Sequence, residues 1–176
     1  MSPVVVLVGV PGAGKTTVGQ AIADSLGVAF DDTDQMIERR VGRTVSDIFI
    51  QDGEDFFRDV EREVVADAVV SHDGVLALGG GAVLDAQTRE LLVGLPAAWL
   101  KVDTDTAVRR VGLNAPRPVL LGNVRGQLKS LMEQRAPLYA EVATVEVETT
   151  DREPGEIAAD VVSQLGIGPA GRTPRD

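Results

Sequence analysis

A doubly wound α/β fold, with helices on both faces of a parallel sheet, is predicted by three observations. Short runs rich in valine and leucine recur without polar alternation, each is followed by a stretch at helical spacing, and the first such transition is a glycine-rich loop. Strands buried on both faces read as continuous apolar runs, and alternating strand and helix patterns join parallel strands by crossovers.

The elements follow in order. Val4 to Val8 predicts the first strand, and Val18, Ile22 and Leu26 space out the helix behind it. Further strands are predicted at Val28 to Phe30, Val75 to Leu78, Ala97 to Val102 and Val142 to Val147, making five. Helices are predicted at Thr33 to Arg40, Glu54 to Ser71, Asp85 to Val93, Asp105 to Val111, Arg125 to Arg135 and Pro154 to Leu165. Gly112 to Gly122 has neither period and carries Arg117, so a mobile lid over about 112–124 is expected. The plain alternative is a surface connection. Residues 167–176 are poor in apolar residues and are expected to form a disordered tail after one domain at 1–166.

Composition narrows the chemistry. With 176 residues, 44% of them hydrophobic, one core can form. No apolar run approaches the ~20 residues of a membrane span, so a cytoplasmic chain without a membrane partner is expected. The net charge of -10 disfavours a nucleic-acid partner, because phosphate backbones are bound by clustered cations. Cysteine is absent and His72 is alone, so a metal would have to sit among oxygen ligands. A monomer acting on small molecules fits these limits.

Gly9-Val10-Pro11-Gly12-Ala13-Gly14-Lys15-Thr16 matches G-x-x-x-x-G-K-[ST] between a predicted strand and a predicted helix. There the loop N–H groups and the helix N-terminus can cradle a phosphate tail, Lys15 can reach the β and γ oxygens, and Thr16 can offer its hydroxyl to Mg²⁺. Gly12, Ala13, Gly14, Lys15, Thr16 and Thr17 are the expected phosphate contacts. No N-K-x-D segment for guanine is present, and a motor or transporter would need a longer chain. A small-molecule kinase is what chiefly remains.

Asp32 and Asp34 follow the second strand, where one carboxylate can hold a water on Mg²⁺ and the other can take the proton of an attacking hydroxyl. The plain alternative is helix capping. Arg58 and Glu61 lie one turn apart, so the carboxylate can orient a guanidinium for an anionic substrate; a solvent-exposed ion pair is the competing reading. Gly79-Gly80-Gly81, directly after the third strand, would let a ligand touch the backbone. Phe49, Phe56 and Phe57 read as core or wall.

Taken in order, these segments resemble the shikimate kinase family: the phosphate loop, Asp32-Thr33-Asp34, Gly42-Arg43, Asp47-Ile48-Phe49, Gly53-Glu54, Phe57-Arg58 with Glu61, the three glycines, Arg117-Pro118, and Arg135-Ala136-Pro137-Leu138-Tyr139. The resemblance implies the P-loop NTPase fold and phosphorylation of the 3-hydroxyl of shikimate by MgATP, a step toward chorismate and the aromatic amino acids. It implies catalytic roles for Asp34, Lys15 and Arg117. The acceptor would be bound by Asp34, Arg58, Glu61, Gly79, Gly80, Gly81 and Arg135, with Phe49 and Phe57 as walls. Thr16 would attend the metal, with Asp32 acting through water. Arg117 would close over the transferring phosphate, and Arg109 or Arg110 with Arg152 and Pro154 would face the adenine. Rival readings are another small P-loop kinase, such as a gluconate kinase, and a nucleotide-binding module without catalysis.

Overall fold

The computed structural model describes residues 2–114 and 123–169. Arg117, most of the expected lid and the end of the expected tail lie outside the described residues.

Five strands form one all-parallel sheet: β1 (Val5–Val8), β2 (Phe30–Asp32), β3 (Val75–Ala77), β4 (Ala97–Lys101) and β5 (Val145–Glu148), in the order β2-β3-β1-β4-β5. All four residues of β1 are buried. Because successive side chains point to opposite faces, both faces of the sheet are covered at its centre. The helices are α1 (Lys15–Leu26), α2 (Thr33–Val41), α3 (Val45–Ser71), α4 (Ala86–Leu92), α5 (Thr104–Asn114), α6 (Val124–Val142) and α7 (Pro154–Leu165). Helices α1 and α7 pack on each other and on the sheet, while α4 packs against α3 and α6. The chain leaves β1 toward β2 and later crosses back past β1 to reach β4, so strand order reverses at β1. In such sheets ligands bind beyond the carboxyl ends of the strands at the reversal.

The expected fold is the observed one, with local differences that have physical causes. The second strand starts at Phe30, not Val28, because the Val28 N–H donates to Ala23 O and is spent on closing α1. The predicted strand at Val142 to Val147 starts only at Val145, since α6 runs through Pro137 to Val142. Proline inside a helix costs ~3 kcal/mol. Here Leu128, Tyr139 and Val142 are buried on one stripe of the helix, and that burial offsets the loss. Residues 45–52 are also helical, capped by the Thr44 side chain, which accepts from the Asp47 N–H.

Gly53 breaks α3 at φ 84, ψ 171, a backbone region essentially confined to glycine. At the lid, α5 extends to Asn114 and α6 begins at Val124, so the ends of the expected 112–124 segment are helical. The tail is also shorter than expected at its start: Ile167 donates to Val162 O and packs against the core.

Candidate active site

The phosphate loop lies at the reversal. Gly12 and Gly14 have φ of 85° and 90°, the left-handed region that a side chain would oppose, and the loop runs directly into α1. A cleft of about 500 Å³ opens over it, lined by Pro11 to Val18, Asp32, Asp34, Leu78, Gly79, Gly80, Arg110, Val111, Arg152, Pro154 and Ile157. Every described residue expected to hold nucleotide is thus on the wall of one cavity. The Lys15 ammonium donates to Gly9 O at 2.6 Å and Val10 O at 3.1 Å. These bonds close the loop on itself around its own cation.

On the far side of the loop, the Arg110 guanidinium donates to Gly12 O at 3.1 Å and to Thr149 O at 3.3 Å. It ties the phosphate loop to the segment after β5. Arg109 instead donates to Thr106 and approaches the exposed Asp151 at 3.9 Å, outside the cleft. Of the two arginines considered for the adenine side, the geometry favours Arg110. Arg152 is held by Asp160 at 3.1 Å and by Glu148 O at 2.9 Å, next to Pro154 at the start of α7.

Asp32 does two things at once. Its Oδ1 caps α2 by accepting from the Asp34 N–H at 2.8 Å, so the capping alternative is correct for this residue. Its Oδ2 accepts from the Thr16 hydroxyl at 3.3 Å. The cap leaves one carboxylate oxygen facing the end of the phosphate loop. Among the described residues no group of three or more His, Cys, Asp or Glu could enclose a metal. A hydroxyl and one carboxylate beside a phosphate site fit a hard cation that keeps much of its water, as Mg²⁺ does.

The residues expected to bind the acceptor gather around the three glycines. A Cβ on Gly79 would lie 2.6 Å from Asp34 Oδ1 and 3.1 Å from Glu61 Oε2. One on Gly80 would lie 3.3 Å from an Arg135 nitrogen, and one on Gly81 would strike the Arg58 guanidinium. Glycine at these positions lets four charged side chains approach the backbone at the mouth of the cleft. Arg58 donates to Glu61 Oε1 at 2.7 Å, and its Nε is buried without a hydrogen-bond partner among the described residues, 3.5 Å from Glu54. Phe57 is buried in a small second core with Ile37, Ile48 and Val64, and its ring lies 4.6 Å from Phe49. The Arg58 guanidinium lies over that ring at 5.3 Å. Neither phenylalanine lines the cleft, and neither do Arg58, Glu61 and Arg135, which approach its glycine end from outside; Phe57 packs against the Arg58 guanidinium.

Glu61 is 4% exposed, and burial pushes its carboxyl above the usual range, with Arg58 pulling the other way. A carboxyl whose native pKa is raised holds its proton more tightly when folded. Its contribution to stability is complete below the unfolded value and is lost as pH rises through the native one. The stability difference between the parent and Glu61→Gln, followed by urea unfolding from about pH 4 to pH 8, is therefore expected to fall with rising pH. A difference that rises with pH would contradict the burial argument.

Sequence reasoning missed two residues. Thr33 is fully buried and its hydroxyl oxygen accepts from the Gly79 N–H at 2.9 Å, locking the Asp32–Asp34 turn to the glycines. Its place between the two aspartates was the available signal. Thr149 is also buried, donating to Lys101 O at 2.8 Å, and no sequence pattern marked it.

Known proteins resemble this chain in sequence and in fold. A family model described as shikimate kinase matches residues 11–166. Shikimate kinases of Thermobifida fusca (strain YX) and Salinispora arenicola (strain CNS-205) are similar to this chain at 54% and 55% identity. The first match covers 93% of this chain and 95% of the relative, the second 94% and 99%. A solved structure of shikimate kinase from Acinetobacter baumannii in complex with shikimate superposes with a TM-score of 0.88 at 35% identity, covering 94% of this chain and 93% of that one. With a phosphate loop at the strand reversal and with relatives this similar over nearly their whole length, the chain belongs to the shikimate kinase family.

Proposed function

We propose that this protein transfers the γ-phosphoryl group of ATP to the 3-hydroxyl of shikimate, giving shikimate 3-phosphate and ADP. The observation that carries the reading is the meeting of Asp34, the Arg58–Glu61 pair and Arg135 around Gly79 to Gly81, at one end of a cleft whose floor is the phosphate loop. A gluconate kinase would share the floor, and gluconate also has a carboxylate to grip, so the clamp alone does not choose between them; what supports shikimate is the similarity to shikimate kinases, one of them in complex with shikimate.

The roles follow from charge and placement. Loop N–H groups from Gly12 to Thr17 and the start of α1 hold the phosphates, and Lys15 leaves the loop carbonyls to neutralise the transferring group. Arg110, Arg152 and Pro154 form the adenine side. Asp34 accepts a hydrogen bond from the acceptor hydroxyl and takes its proton as the new P–O bond forms and the bond to the ADP oxygen breaks. Arg58 and Arg135 grip the ring carboxylate, Arg58 through a fork oriented by Glu61. Thr16, and Asp32 through water, would hold Mg²⁺, which when bound supplies positive charge to the β and γ oxygens. Arg117 is assigned the phosphoryl oxygens by resemblance.

One kinase domain over 1–166, acting as a cytoplasmic monomer without nucleic-acid or membrane partners, belongs to the same reading. Among the described residues no helix is long and apolar enough to cross a membrane. The test is ADP release with shikimate, quinate and gluconate offered separately, with and without Mg²⁺. Metal-dependent turnover of shikimate is expected; turnover of gluconate alone would replace the proposed acceptor.

A further inference from the structure

The carbonyls of the three glycines are held in different ways. Gly79 O accepts from the Ala82 N–H at 3.0 Å and Gly81 O from the Leu84 N–H at 3.1 Å, both within a tight turn after β3. Gly80 O accepts instead from the Tyr139 hydroxyl at 2.6 Å, across 59 residues of chain. Tyr139 lies one turn after Arg135 on α6, so the two side chains share a face of that helix. The ring is 1% exposed and packs against Trp99 with centroids 5.7 Å apart.

We propose that Tyr139 is a positioning residue for the acceptor site, its hydroxyl fixing the Gly80–Gly81 peptide beside Arg135 so that the acceptor carboxylate meets a preset backbone. This rests on the shikimate kinase reading. A peptide unit is planar, so holding the Gly80 oxygen sets the direction of the Gly81 N–H as well. Glycine has no side chain to restrict that peptide, and among the described residues no backbone donor reaches the Gly80 oxygen. Burial pushes the Tyr139 hydroxyl up to about 12, so it keeps its proton and remains a donor throughout the working range. The group thus ties together two acceptor contacts from distant parts of the chain, Gly80 after β3 and Arg135 on α6.

Tyr139→Phe removes one oxygen and keeps the ring against Trp99. The expected result is a rise of about tenfold in KM for shikimate, with KM for ATP and kcat at saturating shikimate within about twofold of the parent. A merely structural tyrosine would lower Tm and the active fraction, hence kcat, and leave KM for shikimate in place. An unchanged KM for shikimate, or an equal rise for both substrates, overturns the proposal. Should the phenylalanine protein not fold, Tyr139→Met, which fills the space without a donor, is read by the same split. The parent is assayed alongside: if it does not turn over shikimate, the functional reading falls and this inference with it, whereas parental turnover with an unmoved variant removes the inference alone.

Discussion

Replacing Asp34 with asparagine is expected to lower kcat for shikimate by about three orders of magnitude, within the range that removal of a general base spans. The physical case rests on placement. Asp34 sits in the first turn of α2, its backbone fixed by the Asp32 cap, and its Oδ1 faces Gly79 at the mouth of the phosphate-loop cleft. The amide keeps size and shape and can still accept from the acceptor hydroxyl, but it cannot take the proton that must leave as the P–O bond forms. The loss should therefore fall on kcat, with nucleotide affinity, measured by calorimetry, within about twofold of the parent. Activity within about tenfold of the parent would remove Asp34 from the chemistry and leave alignment and charge neutralisation as the whole mechanism.

Arg58→Ala is expected to raise KM for shikimate by about a hundredfold, the scale of a lost charge-assisted pair, with KM for ATP nearly unchanged. The substitution does more than delete a ligand contact. It also strands the buried Glu61 carboxylate, whose pKa then rises further because the guanidinium that now pulls it down is gone. Arg58→Lys separates the two effects. Lysine keeps a cation near Glu61 and spares stability, but its point charge lacks the planar fork, so KM should settle between parent and alanine. Steady-state kinetics in both substrates, with Tm for each protein, decide the matter; equal losses for ATP and shikimate would mean that the clamp does not face the acceptor.

What could be read from the sequence follows from how local each signal is. The phosphate loop is a contiguous pattern dictated by backbone curvature, so it was legible together with its strand and helix. The Arg58–Glu61 pair was legible because three residues make one helical turn. From sequence alone α6 ends at Arg135, because Pro137 argues against continuation, whereas burial of Tyr139 and Val142 carries it on to Val142. Residues 45–52 lack a clear helical signal in the sequence although Thr44 to Asp47 has the form of a capping segment, which the structure turns into a helix start. Contacts across the fold carry no such local trace. The Thr33 bond to Gly79 spans 46 residues and the Arg110 bond to Gly12 spans 98, and neither spacing repeats along the chain. The split between Arg109 and Arg110 also required the structure, because adjacent residues on a helix differ only in which way they face.

The tryptophan packed against Tyr139 is the only one in the chain. Indole emission therefore arises from a single place, beside the tyrosine whose hydroxyl holds Gly80 O. Under the proposed function, that indole is a built-in optical reporter beside the acceptor site. A change in emission on adding nucleotide alone would register communication between the two halves of the site without any label being attached.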